Sequence, residues 1–171
     1  AFGVCLAVPE LRLGFSAYLQ HLFQGMDLTD GAGNLSPLLL LANNLRACAV
    51  TMLYGLIPFV RLPALALGVN AVLLGGLAAC YAATDTTMLL YAASLLPHGI
   101  FELPALILAF SMGLYICGHL TRRCRRDPAA LPLGACLGLA ARLLVFLLLP
   151  LLILAALTEA YVTPLAAGLF L

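Results

Sequence analysis

A histidine and a glutamate stand four residues apart inside a long apolar stretch of this 171-residue chain, at His98 and Glu102. Four-residue spacing places both side chains on one face of a helix, where they can share a partner or line one cavity. An ionisable group at membrane depth costs about 2.5 kcal/mol or more unless it is paired or hydrated. The pair is therefore expected inside a helix bundle, either as a proton or cation site or as a polar contact between helices.

Other polar residues lie in separate apolar segments at overlapping predicted depths. A second acidic residue lies about 8 Å from the outer end of the last segment, and two asparagines and an arginine lie about 10–15 Å into an earlier one. We predict that they share one site, in which the arginine or an asparagine neutralises a carboxylate. The alternative is that each simply links two helices. The predicted cluster comprises His98, Glu102, Glu159, Asn43, Asn44 and Arg46.

Complete catalytic motifs are missing from the sequence. It contains no His-Glu-x-x-His, Gly-x-Ser-x-Gly or Gly-x-Gly-Asp string. One imidazole and two carboxylates from two segments, at His98, Glu102 and Glu159, could ligate a metal ion, but this is a weak metal signature. We predict no enzymatic activity and no cofactor. A metal-dependent hydrolase within the membrane is the least favoured alternative.

The composition places these residues in a lipid bilayer. Hydrophobic residues make up 64% of the chain and charged residues 9%, against about 25% charged in soluble domains. The mean hydropathy is +1.13. The net charge of +1 gives no reason to expect nucleic acid as a partner. We predict an all-α polytopic membrane protein, with residues 1–171 forming a single transmembrane domain.

Four apolar segments are long enough to cross about 30 Å of hydrocarbon. Residues 1–8 are too short to do so and are expected to be the end of a truncated first span. The segment at 87–120 is too long for one straight crossing, which predicts a break at Pro97–Gly99, with Pro104 following in the same span. The predicted full spans are 36–60, 62–83, 87–120 with its break, and one within 132–164.

The register of the last span is open between two solutions. One spans 132–157 and buries Arg142, whereas the other has an interfacial helix over 129–142 followed by a span over 143–164. The second is preferred because a lone arginine in the middle of a membrane has no evident partner.

Arginines set the predicted orientation in the cytoplasmic membrane. Four of the five residues at 122–126 are arginine, and basic loops remain on the cytoplasmic side. The loop over 121–131 is therefore predicted to be cytoplasmic. Counting crossings backwards makes the acidic segment 9–35 an extracytoplasmic loop.

Several strings in the chain resemble one family. They are Pro-His-Gly-Ile-Phe-Glu-Leu-Pro-Ala at 97–105, the segment 151–164, the Asn43–Asn44 pair with Gly55, Asn70 and Gly75–Gly76 after it, and Tyr-Leu-Gln-His-Leu-Phe at 18–23. Together they resemble the stage II sporulation protein M family of prokaryotic membrane proteins.

The resemblance implies a role as a scaffold. The sporulation member holds peptidoglycan-degrading enzymes at the division septum, so the implied partners are membrane or cell-wall-remodelling proteins, with a homo-oligomer left open. A non-enzymatic scaffold is thus the leading functional prediction. The competing prediction is a transporter or channel component that uses His98, Glu102 and Glu159 as a proton or cation site.

Overall fold

The computed structural model describes residues 2–24, 35–83 and 88–168. Every regular element in these ranges is helical: α1 (Phe2–Ala7), α2 (Pro9–Gln24), α3 (Pro37–Leu53), α4 (Leu62–Ala82), α5 (Met88–Cys124), α6 (Leu133–Leu143), α7 (Leu149–Leu157) and α8 (Thr163–Gly168). Four helical segments in this part of the chain are long and apolar enough to cross a membrane: Pro37–Leu56, Leu62–Ala82, Met88–Cys124 and Leu133–Ala166. The predicted all-α fold with four full spans is confirmed.

The break predicted at Pro97–Gly99 is wrong. Helix α5 runs for 37 residues without interruption, with Pro97 and Pro104 inside it. A helix of this length measures about 55 Å, so it can cross the hydrocarbon and still extend beyond it at both ends. Each proline removes one backbone hydrogen bond, and surrounding helices make that loss tolerable within a bundle. Helices α3, α4, α6, α7 and α8 all pack against α5.

The last span contains two π turns. Helical backbone is continuous from Leu133 to Ala166, so no break separates 129–142 from 143–164. Wider π turns occupy Leu144–Leu148 and Thr158–Val162, and each ends two residues before a proline, at Pro150 and Pro164. A proline ring clashes with the carbonyl four residues earlier, and the wider turn relieves that clash.

Helix α5 lies at the centre of the bundle, and the main core forms where it meets α3 and the last span. The core residues are Cys48 and Met52 from α3, Ala105, Ala109, Met112 and Ile116 from α5, and Cys136, Ala140, Leu148 and Leu152 from the last span. Small residues let the helices approach closely. A Cβ atom added to Gly55 would lie only 2.1 Å from the backbone oxygen of Gly113, so these two backbones are in direct contact.

Helices α1 and α2 cover part of α4. The ring of Phe15 on α2 lies against Gly76, where a Cβ atom would come within 2.3 Å of it. Residues 25–34 of the predicted extracytoplasmic loop lie outside the described residues. Many large apolar side chains point away from the bundle, with Phe146, Leu165 and Leu38 each more than 70% exposed. Such an apolar exterior is what lipid contact requires.

Candidate functional site

His98 and Glu102 lie one turn apart on the same face of α5. Nε2 of His98 is 4.0 Å from Oε2 of Glu102, and the two side chains are 12% and 24% exposed. The helix positions them because four residues complete slightly more than one turn. Since Pro97 does not interrupt the helix, this spacing is preserved.

Glu159 reaches the same place from the last span. Its backbone belongs to the π turn over Thr158–Val162. One ligand atom each from His98, Glu102 and Glu159 lie within 4.8 Å of one another. Two spans, far apart in sequence, therefore bring an imidazole and two carboxylates into one half-buried cluster. We call these three residues the His–Glu–Glu cluster.

Thr163 fixes the orientation of the imidazole. Its Oγ1 lies 3.3 Å from Nδ1 of His98 and 3.3 Å from the backbone oxygen of Thr158, to which the hydroxyl donates. The hydroxyl has only one proton and donates it to the oxygen of Thr158. The hydrogen bond between Nδ1 and Oγ1 must therefore use a proton on Nδ1. Nε2, which faces Glu102, is then free to accept a proton or to ligate a cation. Metal-binding histidines commonly have their second nitrogen held in this way.

Three predicted members of the cluster come from α3. Asn43 and Asn44 are half-buried and Arg46 is exposed. Within residues 2–24, 35–83 and 88–168, none of them makes a hydrogen bond or ion pair with His98, Glu102 or Glu159. The expectation that Arg46 neutralises a carboxylate is wrong because of helical phase. Arg46 lies two positions before the buried Cys48, about 200° around the helix from the core.

The spacing of the cluster determines what it can hold. A separation of 4.0 Å is too long for a hydrogen bond and fits groups bridged by one water molecule or a small cation. Two ionised carboxylates within 4.8 Å would repel each other by about 3.5 kcal/mol at an effective dielectric constant of 20. A proton or a cation between them removes this repulsion. One nitrogen and two carboxylate oxygens are also acceptable ligands for a divalent transition metal.

Thr163 and the π turn could not be recognised in the sequence by α-helical periodicity. Thr158 and Thr163 are five residues apart, which is the hydrogen-bond spacing of a π turn and not of an α-helix. A search for polar pairs at this spacing just before a proline would have indicated both. π turns often occur at functional sites, so the position of Glu159 within one is informative.

These helices and this cluster define a polytopic α-helical membrane protein with ionisable groups inside its bundle. A sequence model of the family described as stage II sporulation protein M matches residues 11–164, which include the whole His–Glu–Glu cluster. The chain belongs to that family, as its sequence motifs predicted. Comparisons with curated proteins and with solved structures gave no match.

Proposed function

We propose that this membrane protein binds a proton or a small cation at the His–Glu–Glu cluster, as a component of a transporter or channel. The supporting observation is the approach of the three ligand atoms to within 4.8 Å, from two different spans. Carboxylates are costly inside a membrane and are typically found there in proton relays and ion pathways. A purely structural contact between α5 and the last span could be made without two acidic groups facing each other.

The histidine gives the cluster a group that can take up and release a proton. With Nδ1–H held by Thr163, Nε2 can accept a proton from one side and pass it to Glu102. The carboxylate of Glu159 completes the ligand set from the opposite helix. The partial exposure of all three side chains is consistent with access of water or ions to them.

Reconstitution of the purified chain in liposomes tests the proposal. A pH-sensitive dye in the lumen reports proton movement under an imposed potential, and calorimetry of the purified protein with Zn²⁺ or Mn²⁺ reports cation binding. We expect Glu159→Gln and Glu102→Gln to lower the flux or the affinity at least tenfold. Glu10→Gln, which replaces an exposed carboxylate on α2, is the matched control and should have no effect. An unsubstituted chain that moves no protons and binds no cation would refute the proposal.

Scaffolding is the second candidate function, and membership of the family supports it. In this role the apolar helices would position partner membrane or cell-wall-remodelling proteins. Isolation in mild detergent followed by mass spectrometry of co-purified proteins tests it. Partners that remain bound to the Glu159→Gln variant would show that recruitment is independent of the cluster. A chain that is isolated alone would argue against scaffolding.

The least favoured prediction, an intramembrane metal-dependent hydrolase, would use the same three ligands. The metal content of the purified protein tests it directly. Stoichiometric Zn²⁺ together with hydrolytic activity that Glu159→Gln abolishes would favour this prediction over transport.

A further inference from the structure

A basic cavity lies near the opposite end of the bundle from the His–Glu–Glu cluster. Its volume is about 440 Å³, within the range of about 300–1,000 Å³ typical of small-molecule sites. Three arginines line it: Arg61 at the start of α4, Arg122 in the last turn of α5, and Arg125 directly after that helix ends. Leu114, one of its apolar lining residues, comes from farther inside α5. The cavity therefore joins a charged rim to the apolar part of a span.

Positive charge in this cavity is only partly balanced. Among the residues that the structure describes, the only ion pair at this end joins Nε of Arg122 to Oδ2 of Asp127, at 4.0 Å and with both side chains exposed. Arg61 and Arg125 have no carboxylate partner in the same described ranges. Two guanidinium groups therefore face the cavity without an anionic partner.

The position of Arg61 adds to this imbalance. Arg61 is the residue that precedes the first turn of α4, and its side chain makes no capping hydrogen bond there. The start of a helix carries partial positive charge, so an arginine at this position is unfavourable. A bound anion would reverse the sign of that interaction. Arg122, by contrast, lies in the last turn of α5, where the helix dipole favours a cation.

A strained backbone forms one wall of the cavity. Phe59 has a φ angle of +69°, which is rare for an aromatic residue. Two contacts hold it in place: its N–H donates to Oγ1 of Thr121 at 3.0 Å, and the guanidinium of Arg125 lies 5.8 Å above its ring. Strained residues that are over-determined by their neighbours cluster at ligand-binding sites. The Phe59 ring and the Arg125 guanidinium thus lie next to each other in the lining of the cavity.

We propose that this cavity binds a phosphate group through Arg61 and Arg125. Guanidinium groups bind phosphate oxygens through paired, charge-assisted hydrogen bonds, and two of them can grip one phosphate from both sides. The phosphate can come from the headgroup of an anionic phospholipid or from a free phosphate ion. A lipid would additionally place its acyl chains beside the apolar lining at Leu114. This proposal does not depend on the function proposed for the His–Glu–Glu cluster.

The test uses the full chain purified in a zwitterionic detergent. Binding of a fluorescent short-chain phosphatidylglycerol is measured by anisotropy, with phosphatidylcholine as the neutral lipid and sodium phosphate as a competitor. We expect Arg125→Gln and Arg61→Gln each to weaken binding about tenfold or more, the loss expected for a charge-assisted hydrogen bond. Arg123→Gln is the matched control because Arg123 is exposed in the same basic segment but does not line the cavity.

The competition identifies the source of the phosphate. Displacement of the lipid only by excess phosphatidylglycerol indicates a headgroup site, whereas binding of millimolar phosphate without lipid indicates a site for the free ion. Since Arg125→Gln also removes the contact with Phe59, Arg61→Gln and Arg61→Lys provide a second comparison, in which Lys is expected to recover part of the affinity. Equal weakening of binding by Arg123→Gln and Arg125→Gln would overturn the proposal, because it would show that binding depends only on the general positive charge of the surface. Absence of binding to both phosphate sources would also overturn it.

Discussion

The contact between Gly55 and Gly113 allows a sharp prediction about stability. Gly55 lies in a short 3-10 turn over Tyr54–Leu56, and a Cβ atom there would stand 2.1 Å from the backbone oxygen of Gly113. Ordinary van der Waals contact begins at 3.4 Å, so in Gly55→Ala the two backbones must move apart by about 1.3 Å. The obstacle is backbone within the central helix and cannot rotate away. We expect a loss of about 3 kcal/mol in the free energy of unfolding, at the upper end of the range for overpacking.

Thermal unfolding of the detergent-solubilised protein measures this loss. Cys48, Cys117 and Cys136 are buried, so a thiol-reactive fluorogenic dye labels them only as the bundle opens. For a chain of this size, about 3 kcal/mol corresponds to a fall in Tm of about 6–12 °C.

Gly118→Ala on α5 is the control for this substitution. Nothing lies within 4 Å of the added Cβ at that position. Alanine should therefore leave Tm unchanged or raise it, because its higher helix propensity adds up to about 1 kcal/mol to the free energy of unfolding. Equal melting temperatures for Gly55→Ala and Gly118→Ala would show that the close approach of the two glycines is not present in the folded protein.

Three further predictions concern the cluster, the orientation and a helix start. Thr163→Val should lower proton flux or cation affinity about tenfold, because it releases the imidazole of His98. Thr158→Val should change neither, because the Thr158 hydroxyl donates to the backbone oxygen of Leu154 in its own helix. Equal effects of the two substitutions would contradict the role of Thr163. In a variant whose other five cysteines are replaced by alanine, a membrane-impermeant maleimide should label the exposed Cys124 only after the cells are permeabilised, since its basic segment is predicted to be cytoplasmic; labelling of that variant in intact cells would reverse the topology. Ser36→Ala should cost about 0.5–1 kcal/mol of stability, because the Ser36 side chain accepts the Leu39 N–H at the start of α3, and an unchanged Tm would count against that cap.

Hydropathy and helical spacing were sufficient to predict the four spans and the shared face of His98 and Glu102. Both depend on local sequence, because a span needs only enough consecutive apolar residues and a helical face needs only a fixed interval. The rise per residue predicted that Glu159 lies at the same level of the bundle as Glu102. The meeting of Glu159 with Glu102 could be expected on energetic grounds, since isolated carboxylates are costly at that depth.

The remaining features depend on packing that the sequence does not display. The prediction of a break at Pro97–Gly99 depended on the length of the segment and on the helix-breaking residues in it. The structure instead has one long helix, and the helices around α5 make a lost hydrogen bond tolerable. Arg46 was assigned to the cluster by its predicted depth alone, and depth does not specify which side of a helix a residue occupies. The arginine cavity joins Arg61 to Arg125 across two helices, so it arises only from their tertiary arrangement.

The π turn over Thr158–Val162 contains one residue more than an α-helical turn and so shifts the rotation of the last helix. Residues after it are rotated by about 100° relative to their positions in an uninterrupted α-helix. A related chain with one residue fewer in this turn would still have a spanning segment of sufficient length, and its hydropathy would be nearly unchanged. Its counterpart of Thr163 would nevertheless point away from the imidazole. A single-residue gap at this point in a sequence comparison would therefore separate chains that can hold the histidine from chains that cannot.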